Sequence, residues 1–189
     1  MKKVVVLFAQ GFEEVEALSP VDYLRRAKAD VVLAATATEG KTVTGSHKVS
    51  LNCDTTLDDV MREGQLPDAV VIPGGLPGAT NIAGCKAALE FIERMFDSGK
   101  IVAAICASPA LVLGKTKVLQ GKSWTCYPQM EENVLPELQK RHKAAPFVTD
   151  GNVVTARGAG AAEQFSMELV RLLCGESERA RIAKATVQR

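Results

Sequence analysis

The feature that most constrains the fold is the alternation of short, β-rich apolar runs with segments of helical periodicity. Residues 4–9 form a run of six apolar residues, and apolar residues at helical spacing follow over 13–27. Further apolar runs of strand length occur at 30–35, 68–72 and 101–105. Strands separated by helices form parallel sheets that are covered by helices on both faces. The sequence therefore predicts an α/β fold with a mostly parallel central sheet.

The remaining segments fit the same architecture. Residues 42–44 and 48–51 flank Gly45 and Ser46, a pattern that predicts a β-hairpin at one edge. Other predicted elements are helices over 86–98, from 107 onward and over 160–173, and strands over 123–127, 147–149 and 153–155. The chain has 189 residues and no stretch with the composition of a linker or a repeat. We therefore expect a single domain over 1–189.

Charge and cysteine usage exclude several classes of protein. The net charge of +1 gives no reason to expect binding to nucleic acid or to anionic lipid. The apolar run at 4–9 is far shorter than the ~20 residues of a membrane span, and acidic residues follow it without a cleavage site for a signal peptide. The five cysteines are scattered without C-x-x-C or metal-binding spacing. We expect reduced thiols in a cytoplasmic protein, without a metal site.

One cysteine occupies a position typical of a nucleophile. Cys106 directly follows the apolar run 101–105 and precedes the small residues Ala107 and Ser108. A strand that turns sharply into a helix through small residues is a nucleophile elbow, although Ala104 and Ser108 stand where glycines are usual. A helix N-terminus favours a thiolate and lowers a thiol pKa from ~8.5 toward ~3.5–7.5. We expect Cys106 to be reactive; the alternative is a buried structural cysteine.

Two glycines follow another predicted strand. Gly74 and Gly75 come directly after Pro73 at the end of the run 68–72. Glycines there let the backbone approach a ligand and direct its N–H groups at it. If this loop neighbours the elbow, the amides of Gly75 and Ala107 form an oxyanion-binding pair. The alternative is an ordinary glycine turn.

The acidic and basic candidates are less informative. Acidic residues at 13, 14 and 16 complement the dipole at the start of a helix, and helical periodicity places Glu14 nearer the apolar stripe than Glu16. Pro20 removes the helical hydrogen bond to the carbonyl of Glu16. His47 and His142 are expected to be exposed to solvent, so a Cys–His dyad is not predicted.

Four segments in order carry a family resemblance. They are G-F-E-E-V-E at 11–16, V-V-I-P-G-G at 70–75, A-A-I-C-A-S-P at 103–109 and T-A-R-G-A-G at 155–160. Together they resemble the ThiJ/PfpI superfamily, and more closely its parkinsonism-associated deglycase-like subgroup. The resemblance extends from about residue 3 to residue 175, which is nearly the whole chain.

The resemblance implies a flavodoxin-like three-layer sandwich, usually a homodimer, that uses no metal and no other cofactor. It implies that Cys106 is the nucleophile and redox-sensitive thiol, and that Glu16 is a protonated carboxyl group that donates a hydrogen bond to its sulfur. Gly74, Gly75 and Ala107 would supply anion-binding amides. By looser analogy, Tyr127, His47 and Arg26 (or Arg25) would line the site. The chain departs from the family pattern at Tyr127, where many members carry a histidine, and at Ala159, where a proline is common.

Two functions of different classes follow from this resemblance. The first is a cofactor-independent enzyme in which Cys106 attacks 2-oxoaldehydes, or their adducts with thiols and amines, as a glyoxalase or deglycase. The second is a redox-sensing or chaperone-like stress protein in which Cys106 is oxidised rather than turned over. Cysteine-dependent peptide or amide hydrolysis is a third possibility, which Tyr127 and the absence of a well-placed histidine disfavour.

Overall fold

The computed structural model describes residues 1–188, and a seven-stranded sheet lies at its centre. In chain order the elements are β1 Lys3–Phe8, α1 Glu14–Arg26, β2 Asp30–Ala35, β3 Thr42–Thr44, β4 Ser50–Asn52, β5 Thr55–Thr56, α2 Leu57–Arg62, β6 Ala69–Ile72, α3 Gly78–Gly84, α4 Lys86–Asp97, β7 Ile101–Ile105, α5 Ser108–Leu111, α6 Pro136–Gln139, β8 Phe147–Asp150, β9 Val153–Ala156, α7 Ala162–Cys174 and α8 Glu176–Ala185. Three 3₁₀ turns lie at Leu113–Lys115, Met130–Asn133 and Ala159–Ala161. Within residues 1–188, every helix is too short or too polar to cross a membrane.

The strand order of the central sheet is β5-β2-β1-β6-β7-β9-β8. All neighbouring strands run parallel except β8 and β9, which form an antiparallel pair. Strands β3 and β4 form a separate two-stranded antiparallel sheet, which the amide of Gly11 joins to the end of β1 by a 2.8 Å hydrogen bond to the carbonyl of Thr44. The predicted flavodoxin-like fold with an additional hairpin is confirmed.

The apolar run of β1 is continuous because the strand is buried on both faces. Val4, Val6 and Phe8 face a layer formed mainly by α1 and α7, whereas Val5 and Leu7 face a layer that includes α2 and α4. Successive side chains of a strand point to opposite faces, so a strand with helices on both sides has no polar positions. This arrangement explains why the sequence shows a short apolar run and no alternation.

The topology brings three loops together at the carboxyl edge of the sheet. Strands β1, β6 and β7 are neighbours, and all three run in the same direction. The segments that follow them begin at Ala9, Pro73 and Cys106. In an open parallel sheet this edge is where ligand sites form. The fold therefore places the predicted elbow and the glycine loop side by side.

The prediction of a strand over 123–127 is wrong. Only Trp124 forms a β-bridge, a single one with His142. The amide of Ser123 donates to the carboxylate of Asp150 at 2.8 Å, and the amide of Thr125 donates to the hydroxyl of Thr155 at 2.9 Å. Because side chains satisfy these backbone donors, the segment lies extended beside the sheet without joining its ladder.

Other boundaries also differ from the prediction. The helix after Cys106 is a single four-residue turn that passes into a 3₁₀ turn, and α7 begins at Ala162 after another 3₁₀ turn. Helices α2, α3 and α6 were not predicted, because each is too short to display a helical period. The expectation that His142 is exposed is also wrong, since the residue is half-buried and its ring packs against Trp124 in a T-shaped arrangement, at a centroid distance of 5.2 Å.

Candidate active site

Cys106 lies in a sharply bent backbone between β7 and α5. Its φ is +64°, in the left-handed region that residues other than glycine rarely adopt. Its amide donates to the carbonyl of Ala156 at 2.9 Å, and its carbonyl accepts from the amide of Tyr127 at 2.8 Å. These two bonds hold the bend on both sides. The side chain is half-buried at the end of the sheet, which is the geometry of a nucleophile elbow.

Glu16 lies in the first turn of α1, and only 1% of its surface is exposed. Glu13 caps the helix by accepting from the amide of Glu16 at 2.8 Å. One carboxyl oxygen of Glu16 accepts from the amide of Gly74 at 3.0 Å, and the amide of Ala159 also bonds this carboxyl group. The remaining hydrogen bond of the carboxyl group joins it to the Cys106 side chain. Among these hydrogen-bond partners of the buried Glu16 carboxyl group, the sulfur of Cys106 is the reactive one and the others are backbone amides.

The loop at residues 73–75 connects α1 to the elbow. The hydroxyl of Ser108 donates to the carbonyl of Pro73 at 2.5 Å, and the carbonyl of Gly74 accepts from the amide of Glu13 at 3.0 Å. A Cβ atom at Gly74 would lie 2.5 Å from both the Cβ of Cys106 and a carboxyl oxygen of Glu16. Only glycine leaves room there for the cysteine and the acid to meet.

Two backbone amides are directed at the sulfur of Cys106. They belong to Gly75 and Ala107, the residues predicted to form an anion-binding pair. Gly75 holds its amide in this position with φ +89°, which an L-amino acid with a side chain adopts only under strain. An anion formed at the sulfur, or on an atom bonded to it, would lie within reach of both donors.

Burial and mutual charge control the protonation of the pair. Burial raises the pKa of Glu16 to about 7, opposed by its hydrogen bonds with Cys106 and with the amides of Gly74 and Ala159. Burial also raises the pKa of Cys106 to about 12, and the charge of Glu16 adds to this effect, whereas the amides of Ala107 and Gly75 oppose it. The prediction that the helix terminus would lower the thiol pKa is therefore wrong beside an ionised Glu16. The charge of Glu16 opposes a thiolate only while Glu16 lacks a proton.

His47 and Arg26 pair with acidic side chains other than Glu16. The side chain of His47 is 71% exposed, and its Nδ1 lies 2.8 Å from a carboxyl oxygen of Glu14. That hydrogen bond raises the pKa of His47. Arg26 is in the last turn of α1 and pairs with Asp22 at 2.8 Å, whereas Glu16 is in the first turn. A helix rises ~1.5 Å per residue, so about 15 Å separates Arg26 from Glu16 along α1.

Tyr127 lies at the edge of the site. Its ring is close to Gly158, where a Cβ atom would lie 3.6 Å from the ring and 4.0 Å from a carboxyl oxygen of Glu16. The residue is 51% exposed. It borders an open groove of about 570 Å³ whose walls also include Pro146, Arg157 and Gln164. A small molecule in this groove would meet a mixed apolar and polar surface next to the Cys106–Glu16 pair.

Sequence reasoning missed part of what holds the site together. The amide of Ala159 and the carbonyl of Ala156 fix Glu16 and Cys106, and both belong to the segment around the motif at 155–160. That motif contributed to the family resemblance, but its residue types do not reveal which backbone atoms face the acid. Glu14, which the helical wheel favoured over Glu16, instead binds the hairpin by accepting from the amide of His47 at 2.7 Å.

One group of side chains next to the site has the composition of a metal site. Glu13, Glu14 and His47 each present a ligand atom within 4.8 Å of the others. The oxygens of Glu14 are already engaged by the backbone amide and the ring of His47. This group therefore fastens the hairpin to α1.

The sequence matches the family model described as the DJ-1/PfpI family over residues 2–172. It is 36% identical over 185 residues to Protein DJ-1 homolog A of Arabidopsis thaliana, a match that covers 98% of this chain. The chain spans only 46% of the length of that relative. It is also 33% identical over 172 residues to a deglycase of Pyrococcus horikoshii, with 90% of this chain and 99% of the relative covered.

The fold is also similar to that of a solved structure. The structure of Toxoplasma gondii DJ-1 in an oxidised form matches with a TM-score of 0.91 and 31% sequence identity. The match covers 99% of this chain and 98% of the other chain.

Proposed function

The chain belongs to the DJ-1/PfpI family, and from that premise we propose that it detoxifies small reactive carbonyl compounds through Cys106. The observation that carries the proposal is the hydrogen-bonded pair of Cys106 and the buried Glu16, placed under the amides of Gly75 and Ala107. The relative from Pyrococcus horikoshii named as a deglycase supports the same class of chemistry. The substrates would be 2-oxoaldehydes, or the adducts that they form with thiols and amines.

The first step is addition to the aldehyde. The Cys106 thiol passes its proton to the Glu16 carboxylate as the sulfur attacks the aldehyde carbon, so a C–S bond forms and the C=O π electrons move to oxygen. The amides of Gly75 and Ala107 stabilise this oxygen while its negative charge develops. Protonated Glu16 supplies the proton that converts it to the hydroxyl of a hemithioacetal. A carboxyl group whose pKa lies near 7 can both give and accept a proton at neutral pH.

The second step is isomerisation. Glu16, now a carboxylate, removes the proton from the former aldehyde carbon and delivers a proton to the adjacent carbon through an enediol, while the hydroxyl proton on the former aldehyde carbon passes to the oxygen of the adjacent carbon. The product is a thioester of a 2-hydroxy acid on Cys106. Water hydrolyses the thioester, releases the 2-hydroxy acid and restores the thiol. The overall reaction adds one water to a 2-oxoaldehyde without net oxidation, so it requires no external oxidant or reductant.

Methylglyoxal consumption and lactate formation test this proposal. We expect Cys106→Ser to reduce turnover by at least about a hundredfold, because loss of a nucleophile removes the covalent route. Glu16→Gln should also reduce turnover, since an amide does not transfer the proton. Cys85→Ser is the matched control, because Cys85 is another half-buried thiol. Unchanged turnover in Cys106→Ser would contradict the proposal.

A second candidate function is redox sensing, with or without chaperone-like activity. The solved structure of Toxoplasma gondii DJ-1 is described as an oxidised form. In this chain, the amides around Cys106 are suited to bind the oxygens of a sulfenic or sulfinic group. Peptide mass spectrometry after mild peroxide treatment tests it. Selective addition of oxygen at Cys106 with negligible carbonyl turnover would favour the sensor over the enzyme. Peptide hydrolysis is disfavoured, because His47 bonds Glu14 and His142 lies beside Trp124.

We also propose that two copies of the chain associate. Val15 and Leu18 of α1 are 51% and 37% exposed, and Val49 of the neighbouring hairpin is 49% exposed. The amide of Val49 lies 3.4 Å from a carboxyl oxygen of Glu14, which places the hairpin beside the first turn of α1. We call Val15, Leu18 and Val49 the α1 patch. A second copy covering this patch would lie next to Glu13 and Glu14, close to the proposed site.

A further inference from the structure

A second cluster of reactive side chains lies outside the proposed catalytic site. Cys126, Glu131 and His142 each present one potential metal-ligand atom, and these three atoms lie within 4.8 Å of one another. Cys126 belongs to the extended segment after α5, Glu131 to a 3₁₀ turn and His142 to the segment after α6. Their sequence spacing follows no common metal-binding motif, so the tertiary fold alone brings them together.

The backbone fixes these residues relative to one another. Trp124 and His142 form a β-bridge, and the carbonyl of Trp124 accepts from the amide of Lys143 at 2.8 Å. The indole N–H of Trp124 donates to the carbonyl of Leu138 at 2.8 Å, which anchors α6 to the same segment. Cys126 lies only two residues beyond Trp124. The cysteine and the histidine are therefore held together before any ligand binds.

The polar atoms of the cluster are not fully satisfied. Nε2 of His142 is buried and has no hydrogen-bond partner among residues 1–188. Cys126 is buried, and its sulfur has two weak contacts, at 3.3 Å to the carbonyl of Tyr127 and at 3.8 Å to a carboxyl oxygen of Glu131. Buried polar atoms in native proteins nearly always have a partner, so the imidazole of His142 has hydrogen-bonding or ligating capacity that the described residues leave unused.

We propose that Cys126, Glu131 and His142 bind one Zn²⁺ ion. A thiolate, an imidazole and a carboxylate are the ligand types that zinc combines, whereas Mg²⁺ and Ca²⁺ favour oxygen ligands alone. Zinc bond lengths of ~2.0–2.3 Å in a tetrahedron place ligand atoms roughly 3.3–3.8 Å apart. Side-chain movements of about 1 Å would bring atoms within 4.8 Å of one another to these separations. Two anionic ligands would also neutralise the ion, which suits a half-buried position.

Cobalt is the spectroscopic probe for this site. Co²⁺ replaces Zn²⁺ in tetrahedral sites, and a thiolate ligand gives an intense near-ultraviolet charge-transfer absorption. The Cys106→Ala background removes the thiol of the proposed catalytic pair, which lies beside Glu16. We expect the charge-transfer absorption to persist in Cys106→Ala and Cys85→Ser, and to disappear in Cys126→Ser. Loss of the absorption in Cys106→Ala, or its retention in Cys126→Ser, would overturn the proposal.

Zinc affinity, measured by competition with a chromophoric chelator, gives a second readout. We expect one Zn²⁺ per chain and at least about a hundredfold weaker binding in His142→Gln, since outer-sphere changes alone cost about 10–100-fold. The ion should raise the melting temperature of Cys106→Ala but not that of Cys126→Ser. Circular dichroism shows whether Cys126→Ser and His142→Gln fold. If either does not, Glu131→Gln tests the site instead, because Glu131 lies in a half-buried turn. At least about tenfold weaker zinc binding in that variant supports the site, and unchanged affinity overturns it.

Discussion

At the scale of single residues, the reactivity of Cys106 depends on a proton that Glu16 can hold. When Glu16 is ionised, its charge and the burial of the sulfur both oppose a thiolate. When Glu16 is protonated, its charge no longer opposes the thiolate, and its O–H can donate to the sulfur. The pair therefore has two arrangements with one proton, thiol with carboxylate and thiolate with carboxylic acid, and its titration belongs to both residues together.

Variants of Glu16 separate the effect of charge from that of hydrogen bonding. Glu16→Gln removes the charge but keeps an N–H donor, whereas Glu16→Ala removes both. A hydrogen bond to a charged group contributes about 1.5–3 kcal/mol, and 1.36 kcal/mol corresponds to about one pKa unit. We expect the pKa of Cys106 to be about one to two units higher in Glu16→Ala than in Glu16→Gln. Alkylation rates from pH 5 to 10, read at the Cys106 peptide, measure it; equal values would mean that residue 16 donates nothing to the sulfur.

The raised pKa of Glu16 also makes stability depend on pH. Folding raises the pKa of Glu16 from its ordinary value of 4.5 to about 7, so the folded state holds the proton more tightly than the unfolded state. This contribution is fully present below pH 4.5 and is lost as pH rises through 7. A shift of this size corresponds to about 3 kcal/mol.

Glu16→Gln provides the reference for that measurement, because it differs from the parent by the loss of a single titrating group. We expect the free energy of unfolding of the parent, relative to Glu16→Gln, to fall by about 3 kcal/mol between pH 4 and pH 8. Urea denaturation at several pH values measures the difference. A difference that rises with pH would show that the carboxyl group is stabilised in its ionised form.

At the scale of elements, the loop after β6 holds the amide of Gly75 against the sulfur of Cys106. Gly75 adopts φ +89°, and a Cβ atom there would lie 2.4 Å from the backbone nitrogen of Glu13. Backbone atoms do not move aside as a flexible side chain does. The loop therefore determines where the amide of Gly75 meets the sulfur of Cys106.

Gly75→Ala should destabilise the protein and disrupt the site. A side chain in the left-handed region costs about 1–2 kcal/mol, and overpacking costs a further 1–3 kcal/mol, so we expect a loss of at least about 2 kcal/mol. Gly84→Ala is the matched control, because Gly84 ends α3 and a Cβ atom there meets nothing within 4 Å. It should change stability by less than about 1 kcal/mol. Urea unfolding measures both variants, and similar losses in the two would contradict this assignment.

The sequence predicted those elements whose own residues carry a periodic pattern. The buried strands such as β1 and β7, and the amphipathic helix α4, were predicted because burial on two faces or on one face leaves a pattern in the residue types. The segment over 123–127 has the composition of a strand, but side chains at Asp150 and Thr155 take its backbone donors. Such competition depends on tertiary neighbours and leaves no local signal.

The site likewise contains residues that the sequence identified and residues whose role only the fold reveals. Cys106 and the glycine loop were identified from residue types at a strand end, since an elbow requires small residues around its nucleophile. Residue periodicity placed Glu14 nearer the apolar stripe than Glu16, and only the family resemblance selected Glu16. The fold alone reveals that Glu16 is 1% exposed and that Glu14 binds the hairpin. The direction in which the pKa of Cys106 shifts depends on the burial of its own sulfur and on the charge of Glu16, which a local motif does not encode.

At the scale of the whole molecule, the α1 patch is the surface that a second copy would cover. Residues three apart lie on one face of a helix, so Val15 and Leu18 present neighbouring apolar surface, and Val49 is exposed on the hairpin that bonds the first turn of α1. Isolated exposed apolar residues are common in monomers, whereas contiguous groups mark interaction surfaces. The patch also adjoins Glu13, whose charge acts on Glu16. Association here would bury the surroundings of the site and strengthen the effects that raise the pKa of Glu16.

Leu18→Asp tests this association. A buried carboxylate at a symmetric interface occurs twice and has no partner, so we expect the variant to elute as a monomer while the parent elutes as a dimer in size-exclusion chromatography with light scattering. Leu135→Asp is the control, because Leu135 is 59% exposed in a different part of the chain. The parent's melting temperature should rise with protein concentration, and that of Leu18→Asp should not. A monomeric parent, or a Leu18→Asp variant that remains dimeric, would exclude the α1 patch as the interface and leave Glu16 buried by its own chain alone.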